Sequence, residues 1–222
     1  LAYPEVKSVS ARYHGGALLE GDYKERANLT EKPDLAQVIV TGIDPKAEDA
    51  TTNLSNLLIE GEFLDEEDEG KILIGSGYIE RYSVQLEGII DVLGDIRPGD
   101  KVLMTVGSAQ KEFEVKGIML AKADSLILNT WISDREFRRL FNRADLNADK
   151  IAIRLKDPAQ TGVVKDAIIQ DNFDDRMVVE TSKESLPQFI DDVKTTFDIL
   201  SALIGSIGII VASITIFIIV FI

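Results

Sequence analysis

Histidine occurs once in the chain, as His14, directly before Gly15 and Gly16. Any imidazole-based triad or proton shuttle must use it. No serine sits in an elbow-type motif, so His14 reads as a partly exposed residue at a strand end. Asp145, Asn147 and Asp149 imitate the start of a calcium loop. The position that needs glycine holds Lys150, and the one that needs a bidentate glutamate holds Lys156, which argues against calcium. The stretch 62–69, EFLDEEDE, could hold a cation, although a solvated acidic turn is the commoner origin of such a run. Arg135, Arg138, Arg139 and Arg143 form a basic cluster in an acidic protein. It could dock an acidic partner surface or be the solvated face of a helix, with Asp134 and Arg138 paired across one turn. There is no GxxxxGK[ST] loop to cradle a nucleotide and no cysteine to supply thiolate ligands. Carboxylates are too abundant to single out a glycosidase pair. The sequence therefore predicts no catalytic residue, no cofactor and no metal, and the chain reads as non-enzymatic.

The 222 residues suffice for one large domain or two small ones. The chain starts at Leu1 and stops at Ile222 inside an apolar run, and reads as a piece of a longer polypeptide. Lysine and arginine number 24 and the acids 38, so the net charge is 24 − 38 = −14. A charge of that sign repels nucleic acid and anionic lipid headgroups, and no nucleic-acid role is expected.

The elements that must position these residues follow from periodicity. Val6 to Tyr13 alternates as a strand, with Gly15-Gly16 as its turn, and 35–43 (LAQVIVTGI) is a buried strand closed by Asp44-Pro45. Leu54, Leu57 and Leu58 before Gly61 suggest a short helix. Lys71–Gly75 reads as a strand and Gly77–Val84 as a helical turn. Arg97-Pro98-Gly99-Asp100 suits a type II turn leading into a hairpin of 101–106 and 112–120. Ser125–Thr130 is expected as a strand, and Ser133 with Glu136 as the capping box of a helix bearing Phe137, Leu140 and Phe141 on one face. A strand at 150–155, a helix from Asp157-Pro158 to about Ile169 and a returning strand at Met177–Glu180 complete a β-α-β pattern. The order predicts an α+β fold with two lobes: 1–50 with 147–181 as a β-α-β lobe, and 51–146 as an inserted mixed lobe.

A second capping box, Thr181 with Glu184, opens a helix with no stop signal before the chain ends. Leu186, Ile190, Val193, Phe197, Leu200 and Ile204 alternate four and three apart, the spacing of a heptad seam that wants a partner helix. Residues 182–198 are expected as a stalk that continues into 199–222. That last stretch has no charge and at ~1.5 Å per residue exceeds the ~30 Å hydrocarbon core. Ser201 with Gly205 and Gly208 with Ala212 would give this transmembrane helix a small-residue packing face.

The order of segments resembles the periplasmic core domain of MacB-type ABC transporter permeases, the group that includes the LolC/LolE permeases and, more distantly, FtsX. The resemblance is carried by PEVKSVSARY, by VIVTGIDP at 38–45 and by LLIEGEFL at 57–64. It continues through ILIGSGYIERY at 72–82, RPGDKVLMTV at 97–106, FEVKGIM at 113–119 and NADKIAIRLKD at 147–157. The stretch 86–96, LEGIIDVLGDI, departs from the pattern. The resemblance implies a domain between the first and second membrane helices, outside the cytoplasmic membrane to about residue 198. It also implies a cytoplasmic ABC ATPase subunit as partner, a second permease chain in a homo- or heterodimer, and in some relatives a periplasmic adaptor or a lipoprotein or peptide substrate. Stalk helices would carry the ATPase movement outward. Two other classes compete: a membrane-anchored sensory or ligand-binding ectodomain, which the membrane-proximal helix would also suit, and an anchored extracellular enzyme.

Overall fold

The computed structural model describes residues 3–24, 33–83, 91–120, 128–145, 147–171 and 177–185, with positions 201, 204 and 206. The chain divides into two units, 1–156 and 157–222.

The first unit is built on one sheet. Strands β1 (Val6–Glu20), β2 (Leu35–Ile43), β3 (Leu58–Gly61), β4 (Lys71–Gly75), β5 (Lys101–Val106), β6 (Ala109–Met119), β7 (Asn129–Ser133) and β8 (Lys150–Leu155) all belong to it. The order β2-β7-β4-β6-β5-β1 returns to its start because β1 also pairs with β2. Six strands thus form a hydrogen-bonded circuit, which leaves few open edges. β8 extends from the N-terminal half of β1, and β3 hangs on β6. The pairings of β2 with β7 and of β4 with β6 are parallel; the others are antiparallel.

Alternation along the strands feeds two cores. On β4, Ile72 and Ile74 join one cluster with Val38, Val40, Met104, Phe113 and Phe137, while Leu73 between them joins a second. On β7, Ile132 belongs to the first and Trp131 to the second. Helix α1 (Pro45–Thr52) and helix α2 (Asp134–Leu140) complete the unit.

The long β1 corrects the expected turn at Gly15-Gly16. The strand runs straight through, pairing Gly15 with Val40 and Gly16 with Ile39. Gly15 is needed for proximity instead: a Cβ there would lie 2.7 and 2.9 Å from Phe141 Cδ1 and Cζ. The expected helix at 54–58 is a 3-10 turn, Leu54–Leu57, leading into β3. The helix lies earlier, where Asp44 is an N-cap accepting from Ala47 N at 2.9 Å and Pro45 occupies the first turn. Of the strand expected at 125–130, positions 125–127 lie outside the described residues; β7 takes in Asn129 and Thr130 and runs on to Ser133.

The turn 97–100 forms as expected. Asp100 N donates to Arg97 O at 3.0 Å, and Gly99 has φ +97°. A Cβ at Gly99 meets nothing, so Gly99→Ala isolates backbone strain. It is expected to cost about 1–2 kcal/mol in urea unfolding followed through Trp131, the only tryptophan.

In the second unit, a 3-10 turn at Pro158–Gln160 leads into helix α3 (Thr161–Gln170), close to the expected limits. Met177–Glu180, expected as the returning strand, carries no strand pairing. Among the described residues β8 pairs with β1, antiparallel. Helix α4 (Ser182–Ser185) follows.

Candidate functional site

Among the described residues of the first unit the most enclosed charge is Glu48, in the middle of α1. Its side chain is 0% exposed and accepts from Ser10 Oγ (2.6 Å), Arg12 Nε (3.0 Å) and Nη2 (2.5 Å), and Thr52 Oγ1 (2.7 Å). Burial pushes the carboxyl up, but the Arg12 hydrogen bonds and charge, with the two hydroxyls, outweigh it and hold Glu48 below its ordinary value. The arrangement clamps α1 onto β1. The N-cap signal Asp44-Pro45 could have located this helix, but no local pattern links Glu48 to an arginine 36 residues away.

The sequence-predicted chemistry resolves into similar pairings. His14 Nδ1 lies 3.0 Å from Thr41 Oγ1, and burial lowers its pKa against the countering charge of Asp149. Asp149 Oδ2 accepts from His14 N (2.7 Å) and from Arg143 Nη1 (2.6 Å), while Arg143 also holds Asp145 at 3.1 Å. Both aspartates of the calcium-like triplet are thus paired with one guanidinium. Arg138 does not turn to Asp134; it donates to Asp145 O at 2.9 Å and stacks over Tyr13. Arg135 donates to Glu66 O, and Arg139 is exposed.

The acidic run is organised by cations. Lys116 Nζ meets Asp68 at 2.6 Å and Asp65 at 3.2 Å, and Lys46 approaches Glu66 at 3.6 Å. Among the described residues no group of three or more histidines, cysteines or acids could hold a metal. The Ser133–Glu136 box forms by half: Ser133 Oγ accepts from Glu136 N at 3.3 Å. The Glu136 carboxylate turns away to bind Gly70 N (2.7 Å) and Lys111 Nζ, which ties α2 to the starts of β4 and β6.

The departing stretch 86–96 is described from 91. Leu93 N donates to Tyr78 O, Glu80 N donates to Gly94 O, and Leu93 and Ile96 enter the first core. Arg81 fixes this turn through Glu60 (2.8 Å), Asp95 (2.5 Å) and Ile96 O (2.7 Å).

In the second unit the Thr181–Glu184 box is complete. Thr181 N donates to Glu184 Oε2 at 2.7 Å, and Glu184 N donates to Thr181 Oγ1 at 3.3 Å. Lys165, 2.8 Å away, and these bonds pull the Glu184 carboxyl down to about 2. The box opens the short helix Ser182–Ser185. The seam residues Leu186, Ile190, Val193, Phe197 and Leu200 lie outside the described residues, as do Gly205, Gly208 and Ala212; Ser201, Ile204 and Ser206 are helical. Among the described residues no helix is long and apolar enough to cross a membrane.

No family model matches the sequence, and no curated protein matches it. Solved structures do. The periplasmic region of MacB from Actinobacillus actinomycetemcomitans superposes with a TM-score of 0.50 at 14% identity, over 85% of this chain and 78% of that one. A permease-type domain from Porphyromonas gingivalis aligns with a TM-score of 0.42 at 14% identity, over 76% and 64%. The chain has the fold of the MacB periplasmic region.

Proposed function

We propose that this chain is the extracytoplasmic domain of an ABC transporter permease, which couples cytoplasmic ATP hydrolysis to substrate export or extraction by mechanical transmission. The observation that carries this reading is the fold shared with the MacB periplasmic region over most of both chains. The charged side chains described above support it, because they serve to lock helices to the sheet. A domain that transmits force needs rigid joints, and buried paired charges supply them. In this reading residues 1–50 and 147–181 form the membrane-proximal lobe and 51–146 the inserted one, joined by the continuous sheet. Residues 182–198 form the stalk and 199–222 the membrane helix, with residues up to about 198 outside the cytoplasmic membrane. The ATPase resides on a separate subunit or domain, and the stalk seam meets helices of the same permease or of a second permease chain.

These 222 residues hold no cysteine, so one introduced among them has no native competitor there. Cysteines placed at Val193 and Phe197, and at facing positions of the preceding stalk, are crosslinked in membranes with the ATPase subunit. The expected result is a crosslinking pattern that changes when non-hydrolysable ATP is added. A pattern indifferent to nucleotide overturns mechanical coupling and favours a sensory ectodomain.

A further inference from the structure

We propose that the outer edge of β8 takes up an extended segment of another protein in which apolar and acidic residues alternate. The inference rests on the first unit alone; it goes beyond the transporter reading and does not depend on it. β8 pairs with β1 along one edge, and no other described strand pairs with it. Backbone N–H and C=O groups leave a strand on both sides, so the second edge of β8 offers its own to an incoming chain. β3 also has a single neighbour, but it spans four residues and its pairing with β6 is broken by a register shift. β8 pairs without interruption from Lys150 to Arg154.

The two faces of β8 differ in chemistry. Ser8 Oγ and Arg154 Nη1 both donate to Ala50 O of α1, so the α1 face carries Arg154 and, by alternation, Lys150, Ala152 and Lys156. Ile151 and Ile153 point the other way, beside Ala11 and Val9, and are 53% and 42% exposed. On the α1 face, Lys150 and Lys156 are exposed. Arg154 donates to Ala50 O and Asn53 Oδ1, and Lys156 Nζ to Pro4 O. None of the three cations has an ion-pair partner among the described residues. Directly across on β1 stand Ser8, Ser10 and Arg12, and Arg12 is matched by Glu48.

A strand added at this edge sets its side chains alternately beside the two rows, at a cross-strand spacing of about 5 Å. Apolar side chains on one face would continue the rows Val9–Ile153 and Ala11–Ile151 and cover the two isoleucines. Acidic side chains on the other would meet Lys150, Arg154 and Lys156. The alternation is the same for a parallel or an antiparallel guest. The cations also argue against a second copy of this chain as the guest. A twofold pairing of β8 with itself centred on Ala152 puts Lys150 opposite Arg154 of the copy. Centred on Ile153, it puts Lys150 opposite Lys156. Like charges directly opposite destabilise a pair of strands. Lysines on an edge strand deter pairing in general, but that role predicts rejection of every guest, whereas complementarity predicts acceptance of an acidic one.

The full chain is placed in nanodiscs of phosphatidylcholine, whose headgroup has no net charge, and titrated with a fluorescent synthetic peptide of alternating valine and glutamate. The expected result is saturable binding by fluorescence anisotropy, with amide hydrogen exchange slowed along β8 in the bound state. Lys150→Glu and Lys156→Glu are each expected to weaken binding on the order of fivefold. Ile153→Thr keeps a β-branched residue in the strand and removes apolar contact, and is expected to weaken it by a similar factor. Urea unfolding followed through Trp131 shows that each variant remains folded. A peptide with its valines and glutamates in separate blocks, and one with lysine in place of glutamate, are expected not to bind. No binding of the alternating peptide, equal binding of either control, or slowed exchange only outside β8 overturns the proposal. A chain that instead dimerises with slowed exchange along β8 puts a second copy at this edge and overturns it as well.

Discussion

Arg12→Met is expected to lower the unfolding free energy by about 3–5 kcal/mol, the usual loss when one partner of a buried ion pair is removed. The two partners are not equivalent. Glu48 is 0% exposed and would keep only Ser10 and Thr52 as donors, whereas the Arg12 side chain is 22% exposed and can turn to water if its partner goes. Glu48→Met is therefore expected to cost less, about 1–3 kcal/mol. The double variant should fall well short of the sum, since the pair acts as one unit. Urea unfolding followed through Trp131, buried in the second core, measures all three.

The pH dependence separates the pair from simple packing. In the native protein the Glu48 carboxyl lies below its ordinary value of 4.5. Its contribution is present above that value and is lost as pH falls through the folded one. In Arg12→Met burial acts with no opposing cation, so the carboxyl moves up and protonation relieves the buried charge. The gap in stability between native protein and Arg12→Met is thus expected to narrow as pH is lowered from 7 toward 4. A gap that stays constant would show that Arg12 acts through its aliphatic stem alone.

What the sequence made legible follows the range of the interaction. Strands 35–43, 71–75, 101–106 and 150–155 and the 97–100 turn were readable, because alternation and turn chemistry act within a few residues. The Thr181–Glu184 box was readable for the same reason. Ser133–Glu136 has the same spacing, yet the carboxylate of its box is turned to Gly70 N and Lys111. Those partners are 66 and 25 residues away, where spacing rules give no warning. Asp44-Pro45 is ambiguous in a different way: the same two residues that close a strand also open a helix. The Glu48–Arg12 clamp joins that unexpected helix to Ser10 and Arg12, which lie inside the part of β1 that the alternation does show.

Gly15-Gly16 reads as a turn yet lies within β1, because glycine signals both a turn and a close approach. Neither Gly15 nor Gly42 has the positive φ that would demand glycine, so proximity alone explains them. A Cβ at Gly42 would lie 2.5 Å from Phe137 Cβ and 2.7 Å from its Cγ. Phe137 is fully buried, and its Cβ moves only with the α2 backbone. Gly42→Ala is therefore expected to displace the helix and cost about 1–3 kcal/mol, the usual range for overpacking a filled core. At Gly15 the clash is with the ring of Phe141, which is half-buried and stacked on Phe137 at 4.1 Å between centroids. A ring can give way where a Cβ cannot, so Gly15→Ala is expected to cost less. The two sites should also respond differently to a second change. Phe141→Leu removes Cε1 and Cζ, two of the three ring atoms that a Gly15 methyl meets, so adding it to Gly15→Ala should cost less than the two single changes summed. Added to Gly42→Ala it should give no such relief, because the Phe137 contact remains. Equal relief in both backgrounds would mean that Phe141, and not the seat of Phe137 on Gly42, limits how closely α2 approaches the sheet.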